Sequence, residues 1–281
     1  MSDSIAYLNG SFLPLSKARI SVLDRGFLFG DGVYEVIPAY GGRPFRLDQH
    51  MERLEHNLRA IRLAPPLSPG QWEAILKELL QGSHDQAIYL QITRGAAAKR
   101  DHALPAEPCP TVLAWAFPMN DEIPQPARAI THTDIRWQWC HIKAITLLAN
   151  VLLRQQALDQ GCQEAILIRE GEVTEGAASN VFAVIDNVLV TPAKGPHLLP
   201  GITRDLVLEL AEDHGIANRE RELTAEELTA ADEIWLTSST RELVPVVELD
   251  GQPIGKGRPG PVWQRMYEIF QAYKRSFHDT L

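Results

Sequence analysis

Arg25-Gly26-Phe27-Leu28-Phe29-Gly30-Asp31-Gly32-Val33-Tyr34-Glu35-Val36 is the stretch on which the reading of this chain turns. Gly30-Asp31-Gly32 opens like a dinucleotide-binding fingerprint, but Glu35 takes the third glycine position, so no dinucleotide fold follows. Val33–Tyr40 instead reads as a strand ending at Gly41-Gly42. Upstream, Ile5–Leu8 and Ser11–Leu13 flank Asn9-Gly10, a two-residue hairpin signal. Downstream, Asp48 is a candidate N-cap for a helix with Met51, Leu54, Leu58 and Ile61 at helical spacing. Arg53 lies off that apolar stripe, so periodicity expects it to be exposed. Ser68-Pro69 opens a second helix with Trp72, Ile75, Leu76, Leu79 and Leu80. Ala87–Thr93 and Thr111–Phe117 read as strands on either side of a polar loop, residues 94–110.

The second half repeats neither the order nor the sequence of the first. Pro118 to Arg128, with prolines at 118, 124 and 126, is the candidate linker. Ile130–His141 is strand-like, and an apolar helix is expected from about Ala144 to Gly161. Short strands follow at Ala165–Arg169, Val181–Ile185 and Val188–Thr191. A helix spans about Thr203 to His214. Thr224 and Glu227 form a capping box. Glu233–Thr240 and Leu243–Leu249 read as strands, and Pro261–Phe277 as a closing helix. The expectation is an α+β chain: a small N-terminal domain at 1–118, a linker at 119–129 and a larger C-terminal domain at 130–281.

The 281 residues carry 27 Lys+Arg against 36 Asp+Glu, a formal net charge of −9. That balance disfavours a general nucleic-acid binder. No apolar run reaches bilayer length, and Met-Ser-Asp-Ser-Ile-Ala-Tyr carries no basic leader or apolar h-region, so no membrane or secretory role is expected. Cys109, Cys140 and Cys162 are widely spaced without a C-x-x-C pair, which predicts reduced thiols in the cytoplasm and no metal site. Gly251–Gly257 imitates a phosphate loop but lacks Ser or Thr after Lys256, and reads as a hairpin connection.

Four places could carry chemistry. Alternation over 135–143 puts Ile135, Trp137, Trp139, His141 and Lys143 on one face, expected to point inward. A lysine at the end of such a face either snorkels to water or, desolvated, becomes an amine able to condense with an aldehyde such as pyridoxal phosphate. Val173-Thr174-Glu175-Gly176-Ala177-Ala178-Ser179-Asn180 holds one carboxylate among small residues. It is either a solvated turn or a partner for a protonated ring nitrogen. Leu199-Pro200-Gly201-Ile202-Thr203-Arg204 leads into a helix whose first amides either receive an anion or are capped by Thr203. Thr237-Ser238-Ser239-Thr240 offers hydroxyls to phosphate oxygens or to a turn.

Read together, the 25–36 stretch, His50-x-x-Arg53-Leu54, His141-Ile142-Lys143, Thr174-Glu175-Gly176-x-x-Ser179-Asn180-Val181-Phe182 and Gly201-Ile202-Thr203-Arg204 occur in order. The chain resembles the fold-type IV pyridoxal-phosphate transaminases over nearly its full length, bacterial D-amino acid (D-alanine) aminotransferases most of all. The resemblance implies a C-terminal mixed β/α domain with a pseudo-barrel and pyridoxal 5′-phosphate as cofactor. Lys143 would carry the cofactor as a Schiff base and shuttle the proton, and Glu175 would bind the pyridine nitrogen. Arg53 would hold the phosphate, with the amides of Ile202 and Thr203 and the Ser238–Ser239 segment, while Leu199 supports the ring.

Arg100-Asp101-His102 in the polar loop matches the Arg-x-His of D-alanine-type members. With Tyr34, Arg100 and His102 would grip the substrate carboxylate, reaching in from the other subunit of a homodimer. The reaction implied is ping-pong transamination from a D-amino acid to 2-oxoglutarate. An aminodeoxychorismate lyase, an (R)-amine or branched-chain transaminase of the same fold, and a cofactor-binding protein without turnover are the rival readings. The chain departs from the D-alanine pattern at Ala178 (usually serine), Phe27 (usually tyrosine) and Ser239 (usually threonine).

Overall fold

The structure is a computed structural model that describes residues 4–119 and 123–279. The middle of the expected linker, 120–122, and the first three residues of the N-terminal stretch lie outside the described residues. The chain forms two compact α+β units: residues 1–121 with 142–147, and residues 122–141 with 148–281.

In the first unit β1 (Ile5–Leu8), β2 (Ser11–Pro14), α1 (Arg25–Phe29), β3 (Gly32–Tyr40), β4 (Arg43–Pro44), α2 (Leu47–Ala60), α3 (Pro69–Leu79), β5 (Gln86–Thr93) and β6 (Thr111–Pro118) follow in order. Among the described residues the strands make one antiparallel sheet ordered β2-β1-β6-β5-β3-β4. Asn9 and Gly10 both have positive φ, 48° and 95°, the geometry that closes a two-residue hairpin and pairs Leu8 with Ser11. Leu54 and Leu58 of α2 and Trp72 and Leu76 of α3 pack with Ile37, Ile88 and Leu90 of the sheet.

Two expectations fail on α2. Its N-cap is Arg46, held at φ 52° without a side-chain cap, and Asp48 lies inside the first turn, where it suits the helix dipole. Arg53 is buried at 7 % exposure, not solvated. His50, Arg53, Leu54, Asn57 and Leu58 make one face at i, i+3, i+4, i+7 and i+8, so three of the five buried residues are polar. A carboxylate behind that face, described below, makes its burial tolerable.

The second unit contains β7 (Ala127–Thr133), α4 (Leu148–Asp159), β8 (Glu164–Arg169), β9 (Glu172–Gly176), β10 (Asn180–Ile185), β11 (Val188–Thr191), α5 (Ile202–Asp213), β12 (Asn218–Glu220), α6 (Ala225–Thr229), β13 (Glu233–Ser238), β14 (Glu242–Leu249), β15 (Gln252–Pro253) and α7 (Pro261–Asp279). Among the described residues these strands make a mixed nine-stranded sheet, β12-β11-β10-β13-β14-β7-β8-β9, with β15 on β14. The β7–β14, β7–β8 and β11–β12 pairs are parallel. Val181, Ala183, Ile234, Leu236, Val244 and Val246 are among its core. The Thr224–Glu227 capping box forms, with N–H···O distances of 3.0 and 3.1 Å. Cys140 and Cys162 are buried, Cys109 is exposed, and all three are free thiols. No helix among the described residues is long and apolar enough to cross a membrane.

The inward face expected over 135–143 does not exist. Strand β7 ends at Thr133, and Ile135, Trp137 and Trp139 are 53 %, 45 % and 56 % exposed. The physical cause is local. Asp134 Oδ1 accepts from Arg136 N at 3.0 Å, and this side-chain turn competes with the ladder and ends the strand. The helix expected from Ala144 starts at Leu148 instead. Residues 142–147 form a bent segment bridged to β3 at Ala144: Tyr34 N donates to Lys143 O (3.0 Å) and Ile145 N to Gly32 O (3.1 Å).

Candidate active site

In the first unit, that backbone pairing fixes Lys143 beside Tyr34. Its Nζ lies 4.3 Å from the Tyr34 ring centroid. Lys143 is half-buried, and its Nζ has no hydrogen-bond or ion-pair partner among the described residues. An aromatic face holds a cation only weakly, by about 0.5–1 kcal/mol.

On the neighbouring residue of β3, Glu35 is fully buried and anchors α2. Arg53 donates to it through Nε and Nη2, both at 2.8 Å, and His50 Nδ1 lies 2.8 Å from Oε2. Burial pushes the Glu35 pKa up, but Arg53 and His50 outweigh that and hold it well below the ordinary carboxylate range. Burial, helped by the Arg53 and Lys143 charges, lowers the His50 pKa against the pull of Glu35. The bidentate pair locks the Arg53 guanidinium in one direction.

In the second unit Glu175, 5 % exposed, is the penultimate residue of β9. Its Oε2 accepts from Leu199 N (3.0 Å) and Asn180 Nδ2 (3.2 Å), and its Oε1 from Arg136 Nη1. Arg136 is oriented by Asp134 through Nε (3.0 Å) and Nη2 (2.9 Å). Asn180 Nδ2 also donates to Leu199 O at 2.9 Å, tying the 199–202 turn to Glu175. Helix α5 starts one turn on, with Gly201 as N-cap and no side-chain cap, so Thr203 lies inside the helix and does not cap it. An uncapped first turn favours an anion. At the end of β13, Ser238 Oγ is buried without a hydrogen-bond partner among the described residues, and Ser239 is half-buried in the turn that follows. A buried, unsatisfied hydroxyl costs about 1–3 kcal/mol unless a ligand oxygen meets it. Ser179 faces elsewhere, donating to the buried Glu164 at 2.9 Å.

Arg100 and His102 sit on the loop between β5 and β6, both exposed. Among the described residues Arg100 has no carboxylate partner; its guanidinium lies 5.0 Å from the Phe29 ring centroid.

Residues 32–249 match the family model described as amino-transferase class IV. The chain belongs to this family. The D-alanine aminotransferase of Bacillus licheniformis is 41 % identical over 268 residues, 94 % of either chain. That of Staphylococcus haemolyticus is 38 % identical over 276 residues, 96 % of this chain and 98 % of the relative. Among solved structures, the branched-chain amino acid aminotransferase of Escherichia coli superposes with TM-score 0.89 at 28 % identity, covering 96 % of this chain and 94 % of that one. The branched-chain aminotransferase of the archaeon Thermoproteus uzoniensis, solved with norvaline, gives TM-score 0.85 at 28 % identity, covering 96 % and 94 %.

The structure thus gathers Tyr34 and Lys143 in the first unit, and Glu175, Leu199 and the start of α5 in the second. Sequence reasoning gave no role to Glu35, His50, Arg136 and Asn180, which hold Arg53 and Glu175 in place. For His50 the signal was there: it sits one turn before Arg53 and Leu54 at helical spacing. For Arg136 no local signal names Glu175, 39 residues away, as its partner.

Proposed function

We propose that the protein is a D-amino acid transaminase that moves the amino group of D-alanine, or a related D-amino acid, to 2-oxoglutarate, with pyridoxal 5′-phosphate as cofactor. The products are pyruvate and D-glutamate. The observation that carries this reading is the exposed Arg100–His102 pair, whose guanidinium has no carboxylate partner among the described residues and suits a substrate carboxylate. The D-alanine aminotransferases that match over nearly the whole chain support it. The branched-chain neighbours favour the second reading, transamination of branched-chain L-amino acids.

The residues present fit the cofactor. An unpaired amine, a carboxylate held by Arg136, Asn180 and Leu199, an uncapped helix start and an orphaned hydroxyl are the donors and acceptors that its aldehyde, ring nitrogen and phosphate require. When bound, pyridoxal phosphate supplies an aldehyde that takes up the amino group and a ring that accepts the electron pair of the substrate's Cα–H bond. Lys143 would hold the cofactor at its aldehyde through Nζ, and its amine would move the proton at the substrate's Cα. Glu175 pairs with the ring nitrogen, held in direction by Arg136, Asn180 and Leu199. Leu199 would support the ring. Arg53, the amides of Ile202 and Thr203, Ser238 and Ser239 hold the phosphate, with Glu35 and His50 orienting Arg53. Tyr34, Arg100 and His102 hold the substrate carboxylate, the loop of one protomer serving the site of its partner in a homodimer. The exposed Trp137, Trp139, Leu148 and Val151 support a homodimer, because an apolar surface of this kind seeks cover. Three free thiols support a cytoplasmic location.

The test is a single-turnover screen of the purified, cofactor-loaded protein with D-alanine, D-glutamate, L-leucine, L-valine, (R)-1-phenylethylamine and aminodeoxychorismate, read by the cofactor's visible absorbance. D-alanine and D-glutamate are expected to convert it to the amine form. Conversion by L-leucine or L-valine but not by D-alanine replaces this reading with the second one.

A further inference from the structure

We infer that Arg25 and Phe29 are positioning residues for the substrate carboxylate: they hold the Arg100–His102 loop in its working shape before substrate arrives. This rests on the reading of that loop given above. Arg25 is buried at 4 % exposure, although arginine is rarely placed so. Its Nη1 donates to Asp101 O (2.5 Å) and Ala103 O (3.3 Å), and its Nη2 to His102 O (3.4 Å). One planar fork therefore reaches three consecutive carbonyls at the tip of a long loop. Its Nε donates at 2.7 Å to Asp31, a carboxylate it shares with Arg94. Burial raises the Asp31 pKa, but Arg94 and Arg25 outweigh it and hold it below the usual value.

Phe29 presents the second hold. The Arg25 and Arg100 guanidiniums lie 4.9 and 5.0 Å from its ring centroid, and the His102 ring lies 5.2 Å away. The same ring thus touches both side chains assigned to the carboxylate and the arginine that grips the backbone between them. Asp31 pairs with both Arg25 and Arg94, and Arg100 pairs with no carboxylate among the described residues, so the group carries net positive charge. The loop is also fastened at its root. Arg25 N donates to Gly95 O at 2.9 Å. Gly95 has φ 82°, and a Cβ there would fall 1.7 Å from Cys109 O, where only glycine fits. A loop fixed at root and tip spends less binding energy on ordering itself when the carboxylate arrives. The functional role of the 25–31 stretch is then to shape the 100–103 tip, through contacts 76 and 77 residues away in sequence.

The experiment compares wild-type, Phe29→Leu, Arg25→Lys and Arg100→Ala holoenzymes. KM and kcat are measured for D-alanine and 2-oxoglutarate, with the cofactor's visible spectrum and amide hydrogen exchange over residues 98–104. Phe29→Leu and Arg25→Lys are expected to raise KM for both substrates about tenfold, with kcat within about twofold and an unchanged spectrum. Exchange over 98–104 should speed by about tenfold. Arg100→Ala should raise KM without altering that exchange. Wild-type KM and exchange in Phe29→Leu, beside a raised KM in Arg100→Ala, overturns this inference and leaves the carboxylate reading standing. Unchanged KM in Arg100→Ala overturns both. KM, kcat and bound cofactor all failing together in both positioning variants marks a general structural role and also overturns it.

Discussion

Glu175 and Lys143 are opposite in charge and opposite in how they are held. Glu175 receives hydrogen bonds from a buried arginine, a side-chain amide and a backbone N–H, and Asp134 in turn fixes that arginine. Lys143 Nζ lies over the face of Tyr34 and has no hydrogen bond or ion pair among the described residues. The difference follows from what each group would do. A carboxylate that pairs with a fixed ring nitrogen gains from being preorganised, because its hydrogen bonds are made during folding. An amine that must bond, leave and carry a proton gains from having none to break.

The sharpest way to break this contrast is to remove the amine. Lys143→Ala is expected to lower turnover by more than about 10³-fold while leaving thermal unfolding within a few degrees of wild type. Turnover at the wild-type rate would discard the assignment. The second comparison is Arg136→Gln, which leaves Asp134 and Glu175 without their shared cation. Breaking such a buried pair should cost about 3–5 kcal/mol in urea unfolding, and Asn180→Ala about 1–3 kcal/mol. If Arg136→Gln costs no more than Lys143→Ala, Glu175 is not held as the contacts imply.

A third test concerns the other well-held carboxylate. Folding lowers the pKa of His50 from 6.5 and of Glu35 from 4.5, so below those values the unfolded chain binds more protons than the native one. Stability should therefore fall as pH drops below about 6.5, and more steeply below about 4.5. The urea midpoint at pH 7, 5.5 and 4 checks this, and a midpoint that rises on acidification contradicts it. The smallest effect is expected at the exposed Ala178. Ala178→Ser should leave stability within about 0.5 kcal/mol, so that any change in turnover reports on the site alone.

Much of the scaffold could be read from short-range pattern. The Asn9-Gly10 hairpin, the Thr224–Glu227 box and the apolar alternation of β5 depend on residues close in sequence, and they formed as expected. The reading failed where a polar side chain redirected the chain. Alternation over 135–143 was real in the letters, but Asp134 captured the Arg136 amide and ended the strand. The expected first turn of the helix, 144–147, became a bent segment bridged to β3, because the backbone groups of Gly32 and Tyr34 were there to pair with residues 143 and 145. Arg53 was misjudged by the same route: an apolar-only stripe ignores a buried carboxylate on another element.

Helical and strand periods, caps and turns were settled locally, by steric and hydrogen-bonding preferences acting over a few residues. The family blocks further named Lys143, Glu175 and Arg53 as groups to watch. Only folding chose their partners. The pairs Glu35–Arg53, Arg136–Glu175 and Arg25 with the 101–103 carbonyls join residues 18 to 78 positions apart. Charges that leave water must find opposite charges or carbonyls wherever packing brings them, and no local pattern encodes that choice.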